Sequence, residues 1–434
     1  MVEFVFDTAR SLTDLIFAGT LARHPGLKVV VPHCGGAAVA QLRRLYSDLA
    51  GQVARRVVRH RARPGAGHRL ALPDHRQRPD PVPPPRPLRK PMPSEDPMPS
   101  EDPMQEEAVS QDAPSFPAQP PAPPDPARLP LPPHARPAPG VRLLRGAVYA
   151  VPDGSRPLET DLWLPEPADG PLPVVVFVHG GGWRTGLRDD PGPRFRHWLP
   201  GPFARLAGAG VAVVCPDYRL SGEARHPAQL DDLRALLVWL RDRAGELGLD
   251  PDRVVLWGES AGGHLAALTA LTLGAAGAGA PAVTVRGCVT WYAPTDLTRL
   301  ADDHPPGRFD PRDPASREAL LLGAAPAAAP GPARDASPAL RVTPAAPPFL
   351  LLHGTEDELV PCAQSDRLAT ALRAAGVPVE QVRVPGANHL WLGLAEEEVE
   401  RVFARTAGFV TRHCARETDG QEDNPLGIRS SEEP

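Results

Sequence analysis

The sequence has few cysteines and lacks long apolar runs. Its 434 residues include five cysteines and no C-x-x-C pair. These are Cys34, Cys215, Cys288, Cys362 and Cys414. Such scattered thiols argue against a disulfide scaffold and favour a reducing compartment. No run of about 18 apolar residues occurs, so we predict no transmembrane helix and no membrane partner. The first ten residues do not resemble a signal peptide, and we expect a cytoplasmic protein.

Lysine is nearly absent, and neither sign of charge dominates. Lys28 and Lys90 are the only lysines among 47 basic residues, a bias that we attribute to a GC-rich genome. The formal net charge is −5. A charge of this size gives no field that would attract a polyanion, so no nucleic-acid partner is expected.

Proline is abundant, with 58 residues in the chain. About a third of the residues between Pro64 and Pro139 are proline. Proline donates no backbone N–H and clashes with a preceding helical turn. We therefore predict a disordered Pro/Arg-rich linker over 58–140. The linker separates a short piece, residues 1–57, from a large domain, residues 141–414. A disordered acidic tail, residues 415–434, follows this domain.

Residues 1–57 have the pattern of one α/β unit: helix, strand, glycine-rich turn, helix. The runs Phe6–Arg10, Gly19–Leu21, Arg23–Pro25 and Val31–Gly36 resemble one piece of the metal-dependent amidohydrolase barrels related to aminocarboxymuconate-semialdehyde decarboxylase. The resemblance places His33 at the end of an active-site strand. A complete barrel needs about 250 residues, however, and the chain has no His-x-His metal motif. We predict a non-functional fragment without a metal site.

From residue 141 onward, apolar runs alternate with amphipathic helical patterns, which is typical of βαβ units. The pattern predicts a doubly wound, mostly parallel sheet of eight strands. The predicted strands are Val141–Val151, Thr160–Leu164, Val174–His179, Val211–Pro216, Arg253–Trp257, Val285–Tyr292, Pro348–His353 and Val379–Pro385. The predicted helices are Ala228–Leu247, Ala261–Leu273, Ala363–Ala375 and Glu396–His413.

A G-x-S-x-G run, Gly258–Gly262, follows the predicted strand Arg253–Trp257 and opens a helix. This context is that of a nucleophile elbow, in which a tight turn projects a serine above the sheet. The pattern predicts Ser260 as the nucleophile. A serine that merely caps the following helix is the structural alternative.

Three glycines, Gly180–Gly182, follow His179 at the end of another predicted strand. A glycine-rich loop of this kind can turn backbone N–H groups toward one point, where they stabilise a developing oxyanion. An ordinary glycine-rich turn is the alternative.

Two further strand ends bear an acid and a histidine. Asp357 follows the strand Pro348–His353 and can orient an imidazole. Its neighbours Glu356 and Glu358 compete for this role, and strand-to-loop alternation favours Asp357. His389 follows the last predicted strand and is the candidate general base.

The order Ser260, Asp357, His389 is that of α/β-hydrolases and differs from the order in two other serine-hydrolase folds. Residues 141–414 resemble the α/β-hydrolase esterases of the hormone-sensitive-lipase-like and acetyl/feruloyl-xylan-esterase-like groups. The other matching runs are Val174–Gly182, Asp217–Leu220, Pro227–Asp232 and Trp291–Leu297. The resemblance implies that Gly181, Gly182 and Ala261 supply the oxyanion N–H groups.

The resemblance is incomplete around the substrate pocket. The helical cap that precedes the glycine-rich strand in the hormone-sensitive-lipase group has no counterpart here. Any lid would come from the Pro/Ala-rich insertion Leu300–Pro347. Trp183 and Trp391 are candidates to line the pocket, and core packing is the equal alternative for both.

We predict a serine carboxylesterase for small or aromatic acyl esters, which requires no cofactor and no metal. An arylformamidase or a small-peptide hydrolase would use the same triad. Alternatives of another class are a catalytically inactive binding module of this fold and an interaction scaffold built on the linker. The sequence does not fix the oligomeric state.

Overall fold

The computed structural model describes residues 124–273 and 283–415. The predicted amidohydrolase-like fragment with His33, most of the predicted linker and nearly all of the acidic tail lie outside the described residues. The predicted hydrolase domain lies almost wholly within them.

The described residues form one nine-stranded sheet in the order β1-β2-β3-β5-β4-β6-β7-β8-β9. Its strands are β1 (His134–Ala138), β2 (Val141–Ala150), β3 (Leu158–Pro165), β4 (Leu172–Val178), β5 (Ala212–Pro216), β6 (Leu249–Glu259), β7 (Val285–Trp291), β8 (Phe349–Gly354) and β9 (Val379–Val384). Eight of them correspond to the predicted strands, and the doubly wound fold class is confirmed.

The neighbouring pairs β1–β2, β2–β3 and β3–β5 are antiparallel. All the other neighbouring pairs, from β5–β4 across the sheet to β8–β9, are parallel. The central strands are apolar, as in the run Val174–Val176, because both faces of a parallel sheet are covered. The carboxyl ends of β4, β6, β8 and β9 therefore meet at one edge, where the loops after them lie close together.

Helices cover both faces of the sheet. Within the described ranges they are α1 (Pro202–Gly208), α2 (Ala228–Asp242), α3 (Ala244–Leu247), α4 (Ala261–Thr272), α5 (Leu300–Asp303), α6 (Arg317–Leu322), α7 (Pro330–Asp335), α8 (Ala363–Ala374) and α9 (Glu396–Cys414). Helices α2, α4 and α8 pack in one apolar cluster, and α1 and α9 pack in the other. No helix in the described part of the chain is both long and apolar enough to cross a bilayer.

Helix α4 lies at the centre of the domain and is buried along its whole length. Its alanines and leucines bury an apolar surface on every side, as expected for a helix enclosed by other elements. This packing fixes the turn between β6 and α4, where the candidate nucleophile lies.

The domain begins earlier than the predicted boundary at residue 141. Strand β1 and a 3₁₀ turn, Pro126–Arg128, lie within the predicted linker 58–140. The side chain of Arg243 donates hydrogen bonds to the carbonyls of Ala127, at 2.9 Å, and Leu129, at 2.8 Å. Prolines do not prevent this, because β1 is an edge strand and an edge strand tolerates a missing N–H.

The segment before residue 141 is therefore expected to stabilise the domain. A chain of residues 141–415 should have a free energy of unfolding roughly 3 kcal/mol lower than a chain of 124–415, since buried Arg243 loses its carbonyl partners. Urea denaturation of the two chains measures the difference. Equal midpoints and equal slopes would contradict a structural role for this segment.

Candidate active site

Ser260 lies in a strained turn between β6 and α4. Its backbone has φ 50° and ψ −120°, a conformation that L residues rarely adopt and that a tight packed turn must impose. A β-carbon at Gly262 would lie 2.0 Å from the carbonyl oxygen of Val178. Glycine is required there for the helix to approach β4. The turn has the geometry predicted for a nucleophile elbow.

Three side chains from the ends of separate strands form a hydrogen-bonded chain. The Nε2 atom of His389 lies 3.0 Å from the Oγ atom of Ser260. On the other side of the ring, Nδ1 lies 2.7 Å from Oδ2 of Asp357. All three residues are buried. The structure thus brings together the three residues that the sequence selected.

Asp357 is the buried acid in its loop, whereas Glu356 and Glu358 are exposed. Its Oδ1 atom accepts backbone N–H groups of Leu359, at 2.9 Å, and Val360, at 2.8 Å. Burial alone would raise the pKa of Asp357. Hydrogen bonds from His353 and His389 outweigh burial and hold this pKa well below its ordinary value.

The glycine-rich loop after β4 leaves two N–H groups beside the serine. Gly181 has φ +108° and Gly182 has φ +61°, and both line the cavity that contains Ser260 and Ala261. Within the described residues, the N–H groups of Gly181 and Gly182 have no protein acceptor. Ala261 is the first residue of α4, where a helix leaves its N–H groups unpaired. These groups can bind an oxyanion.

A second buried cluster, which the sequence analysis did not single out, lies behind the triad. Tyr292 donates its hydroxyl to Oε2 of Glu259 at 2.6 Å, and Oε1 accepts the N–H of Gly180 at 3.3 Å. The ring of Tyr292 lies 4.5 Å from that of His389. Glu259 thereby joins the glycine-rich loop to the residue that packs on the histidine. The signal was visible, since a glutamate ends an apolar strand within the G-x-S-x-G run.

Burial raises the pKa of Glu259 from 4.5 to about 7, although hydrogen bonds from Tyr292 and Gly180 oppose the rise. Between these pH values the native state retains a proton that the unfolded chain has released. This carboxyl therefore lowers the stability as pH rises through that window. The Glu259→Gln variant cannot titrate at this position. Its free energy of unfolding minus that of wild type should therefore rise by roughly 3 kcal/mol from pH 4.5 to about pH 8.

Urea denaturation at closely spaced pH values measures this effect. Glu358→Gln, at an exposed position in another loop, is the matched control. A stability difference for Glu259→Gln that stays constant over the window would show that Glu259 titrates normally.

The two candidate pocket tryptophans differ in position. Trp183 is buried in the core but also lines the cavity, and its Nε1 donates to Nδ1 of His264 at 3.3 Å. Trp391 is fully buried, lies against Trp291 and Tyr292, and belongs to the core. Core packing was the alternative that the sequence left open for both tryptophans, and both lie in core clusters.

The insertion Leu300–Pro347 is folded and covers one side of the site. It contains α5, α6 and α7. In α4, the Nε2 atom of His264 lies 2.6 Å from the carbonyl oxygen of Ala336, a residue of the insertion. Burial lowers the pKa of His264 to about 3. The neutral ring can accept from Trp183 and donate to Ala336. The hydrogen bond from His264 to Ala336 links the insertion to helix α4.

A cavity of about 320 Å³ opens at Ser260. Its walls are the glycine-rich loop, the start of α4, the loop after β8, the loop after β9, and α6 of the insertion. Within residues 124–273 and 283–415, no group of three or more His, Cys, Asp or Glu side chains is placed to hold a metal ion. The arrangement can activate a serine and stabilise negative charge on a bound carbonyl oxygen.

Comparisons with known proteins find a family model and several esterases that resemble this chain. Residues 160–372 match the BD-FAE family model. The probable carboxylic ester hydrolase LipM of Mycobacterium tuberculosis is 30% identical over 281 residues, which are 61% of this chain and 60% of that protein. Carboxylesterase NlhH of the same species is 38% identical over 149 residues, 34% of this chain and 43% of that one.

Among solved structures, a bacterial heroin esterase is 26% identical with a TM-score of 0.50, covering 64% of this chain and 84% of that one. The described domain has the α/β-hydrolase fold. The chain spans about half the length of the two curated relatives.

Proposed function

We propose that this α/β-hydrolase domain hydrolyses carboxylic esters through an acyl-enzyme on Ser260. The observation that supports it best is the hydrogen-bonded chain Ser260–His389–Asp357. It lies at a cavity where, among the described residues, nothing accepts the N–H groups of Gly181 and Gly182. The similarity to esterases supports the same reaction class.

The hydrogen bonds assign the proton positions on His389. Ionised Asp357 can only accept, so Nδ1 of His389 bears the hydrogen and Nε2 accepts from the hydroxyl of Ser260. His389 then removes the serine proton as Oγ attacks the ester carbonyl. Asp357 stabilises the imidazolium that forms.

The negative charge of the tetrahedral intermediate falls on the former carbonyl oxygen. The N–H groups of Gly181, Gly182 and Ala261 would bind it, and one such donor contributes about 3 to 4 kcal/mol. The imidazolium of His389 protonates the leaving alcohol. Water, deprotonated by the same histidine, then attacks the acyl-enzyme and releases the acid and Ser260.

The part of the cleft next to Ser260 supports a preference for the acyl group. Its volume of about 320 Å³ is at the lower end of ligand pockets and suits a short or aromatic acyl group. The intact triad and the free N–H groups weigh against an inactive binding module. No metal or cofactor takes part in these steps.

A fluorophosphonate probe tests the nucleophile, and a substrate panel tests the reaction class. We expect one label per chain on Ser260 and hydrolysis of p-nitrophenyl acetate and butyrate. N-formylkynurenine and aminoacyl anilides should react more slowly. Faster turnover of either would favour an arylformamidase or a small-peptide hydrolase, and failure to label would favour a binding module.

A further inference from the structure

The cavity at Ser260 continues into a second one of about 490 Å³. The two share wall residues from the glycine-rich loop, from α6 and from the loop after β8. Arg184, Arg317 and Glu318 are among these shared residues. A substrate held at the serine therefore extends along a wall that contains cationic side chains.

Two of these cationic side chains have no partner. Elsewhere in the described domain arginines commonly pair with carboxylates, as Arg308 does with Glu358 at 2.9 Å at the far end of the same cleft. Among the described residues, Arg184 and Arg317 form no ion pair and no side-chain hydrogen bond. Both are exposed, and both line the two cavities.

Arg317 lies close to the proposed oxyanion site. A β-carbon built on Gly182 would lie 2.5 Å from Cδ of Arg317, so the arginine stem lies on the glycine-rich loop. Arg317 is the first residue of α6, and the side chain of Ser316 caps that helix by accepting the N–H of Ala319 at 3.1 Å. The insertion thus holds the Arg317 side chain against the glycine-rich loop that forms the proposed oxyanion site.

The acid next to Arg317 in the chain, Glu318, does not form an ion pair with it in the described structure. Glu318 lines the same cavities. Burial raises the pKa of Glu318, and the charge of Arg317 opposes the rise only in part. Because Arg308 is already paired with Glu358, Arg184 and Arg317 leave the cleft with an excess of positive charge near the serine.

We propose that Arg317, together with Arg184, binds an anionic group of the substrate, so that the preferred esters have a carboxylate on the acyl or the alcohol part. A guanidinium matches a carboxylate with two parallel N–H donors. This inference rests on the proposed ester hydrolysis and adds a substrate class to it. Arg317 acts here as a specificity-determining residue.

Two matched pairs of esters test the proposal with the full chain. Monomethyl succinate against methyl pentanoate places the carboxylate on the acyl side. 4-Acetoxybenzoate against 4-methylphenyl acetate places it on the alcohol side. Initial rates followed by proton NMR give kcat/KM for each ester, and the ratio within a pair removes effects common to both members.

We expect wild type to favour the carboxylate in at least one pair by roughly tenfold, the effect of one charge-assisted hydrogen bond. Arg317→Gln should abolish most of this preference, because it lowers kcat/KM for the carboxylate ester far more than kcat/KM for its neutral partner. Arg317→Lys should retain part of it. Arg405→Gln removes the same charge from α9, outside both cavities, and should leave the ratio unchanged.

The outcomes separate the two proposals. Ser260-dependent hydrolysis of neutral esters with no carboxylate preference, or a preference that survives Arg317→Gln, overturns the anion site and leaves ester hydrolysis intact. Hydrolysis of none of the four esters, with no fluorophosphonate labelling, overturns both. An equal fall of both members of a pair in Arg317→Gln would mean a structural role, and the anion site would be rejected.

Discussion

The Ser260→Ala variant is expected to lose ester hydrolysis, with kcat for p-nitrophenyl acetate reduced by roughly 10⁴-fold or more. The hydroxyl of Ser260 lies 3.0 Å from Nε2 of His389, and in the described part of the chain no other nucleophilic side chain forms a hydrogen bond with this atom. We expect a residual rate above that of water, since the oxyanion donors at Gly181 and Gly182 are retained. Steady-state kinetics and fluorophosphonate labelling measure the loss.

The variant should fold normally. Alanine removes only the hydroxyl from a residue whose backbone is fixed by the hydrogen bond from its N–H to the carbonyl of Trp291, at 2.8 Å. Replacement of the serine therefore separates chemistry from stability, and thermal melting serves as the control. Turnover equal to that of wild type would mean that hydrolysis proceeds at another group, and the acyl-enzyme on Ser260 would be rejected.

Asp357→Asn is expected to reduce kcat by roughly 10³- to 10⁴-fold. Asparagine can still accept the N–H groups of Leu359 and Val360, so the loop should keep its shape. It cannot stabilise an imidazolium, however, and its amide NH₂ group can donate to Nδ1 of His389. That hydrogen bond selects the tautomer in which Nε2 is protonated and cannot accept from Ser260.

Glu356→Gln and Glu358→Gln are the matched controls, because each removes one carboxylate from the same loop at an exposed position. Each should keep kcat within about threefold of wild type. Glu358→Gln also removes the ion pair with Arg308, at 2.9 Å, which is exposed and contributes little. A fall in kcat for either glutamate variant as large as that for Asp357→Asn would reassign the acid of the triad.

Much of the fold was predictable because apolar runs and helical patterns alternate regularly after residue 141. Val174–Val176 and Val254–Leu256 lie within predicted strands and pair in register in the sheet. Edge strand β1, with the sequence HARPA, was missed because it contains a proline and no large apolar residue. Its place in the sheet is set by pairing with Leu143 and Leu144 of β2. Pairing between strands is a tertiary property that local composition does not contain.

The candidate site was predictable for a similar reason. Ser260, Asp357 and His389 each follow a strand, and strand ends of a parallel sheet meet at one edge. The choice of Asp357 over two adjacent glutamates rested on alternation, and burial of Asp357 agrees with it. The different positions of Trp183 and Trp391 could not be predicted, because both follow a strand in a loop near the triad.

The sequence analysis also missed Arg317 and the contact between Glu259 and Tyr292. Arg317 comes from an insertion whose Pro/Ala-rich sequence shows no strong periodicity, and only the fold places it on Gly182. Glu259 and Tyr292 are 33 positions apart in the chain. They meet because β6 and β7 are neighbours in the sheet.

Strand β1 and strand β9, the two edges of the sheet, also bear on how the domain behaves in a concentrated solution. An open edge offers unpaired N–H and C=O groups to a strand of another molecule, which is a route to aggregation. Pro137 in β1 has no N–H to offer, and Arg136 adds an exposed charge beside it. Glu380 and Arg383 are exposed charges on β9. The sheet therefore ends on both sides in strands that are poor templates for fibril growth, although its central strands are nearly continuous runs of valine and leucine.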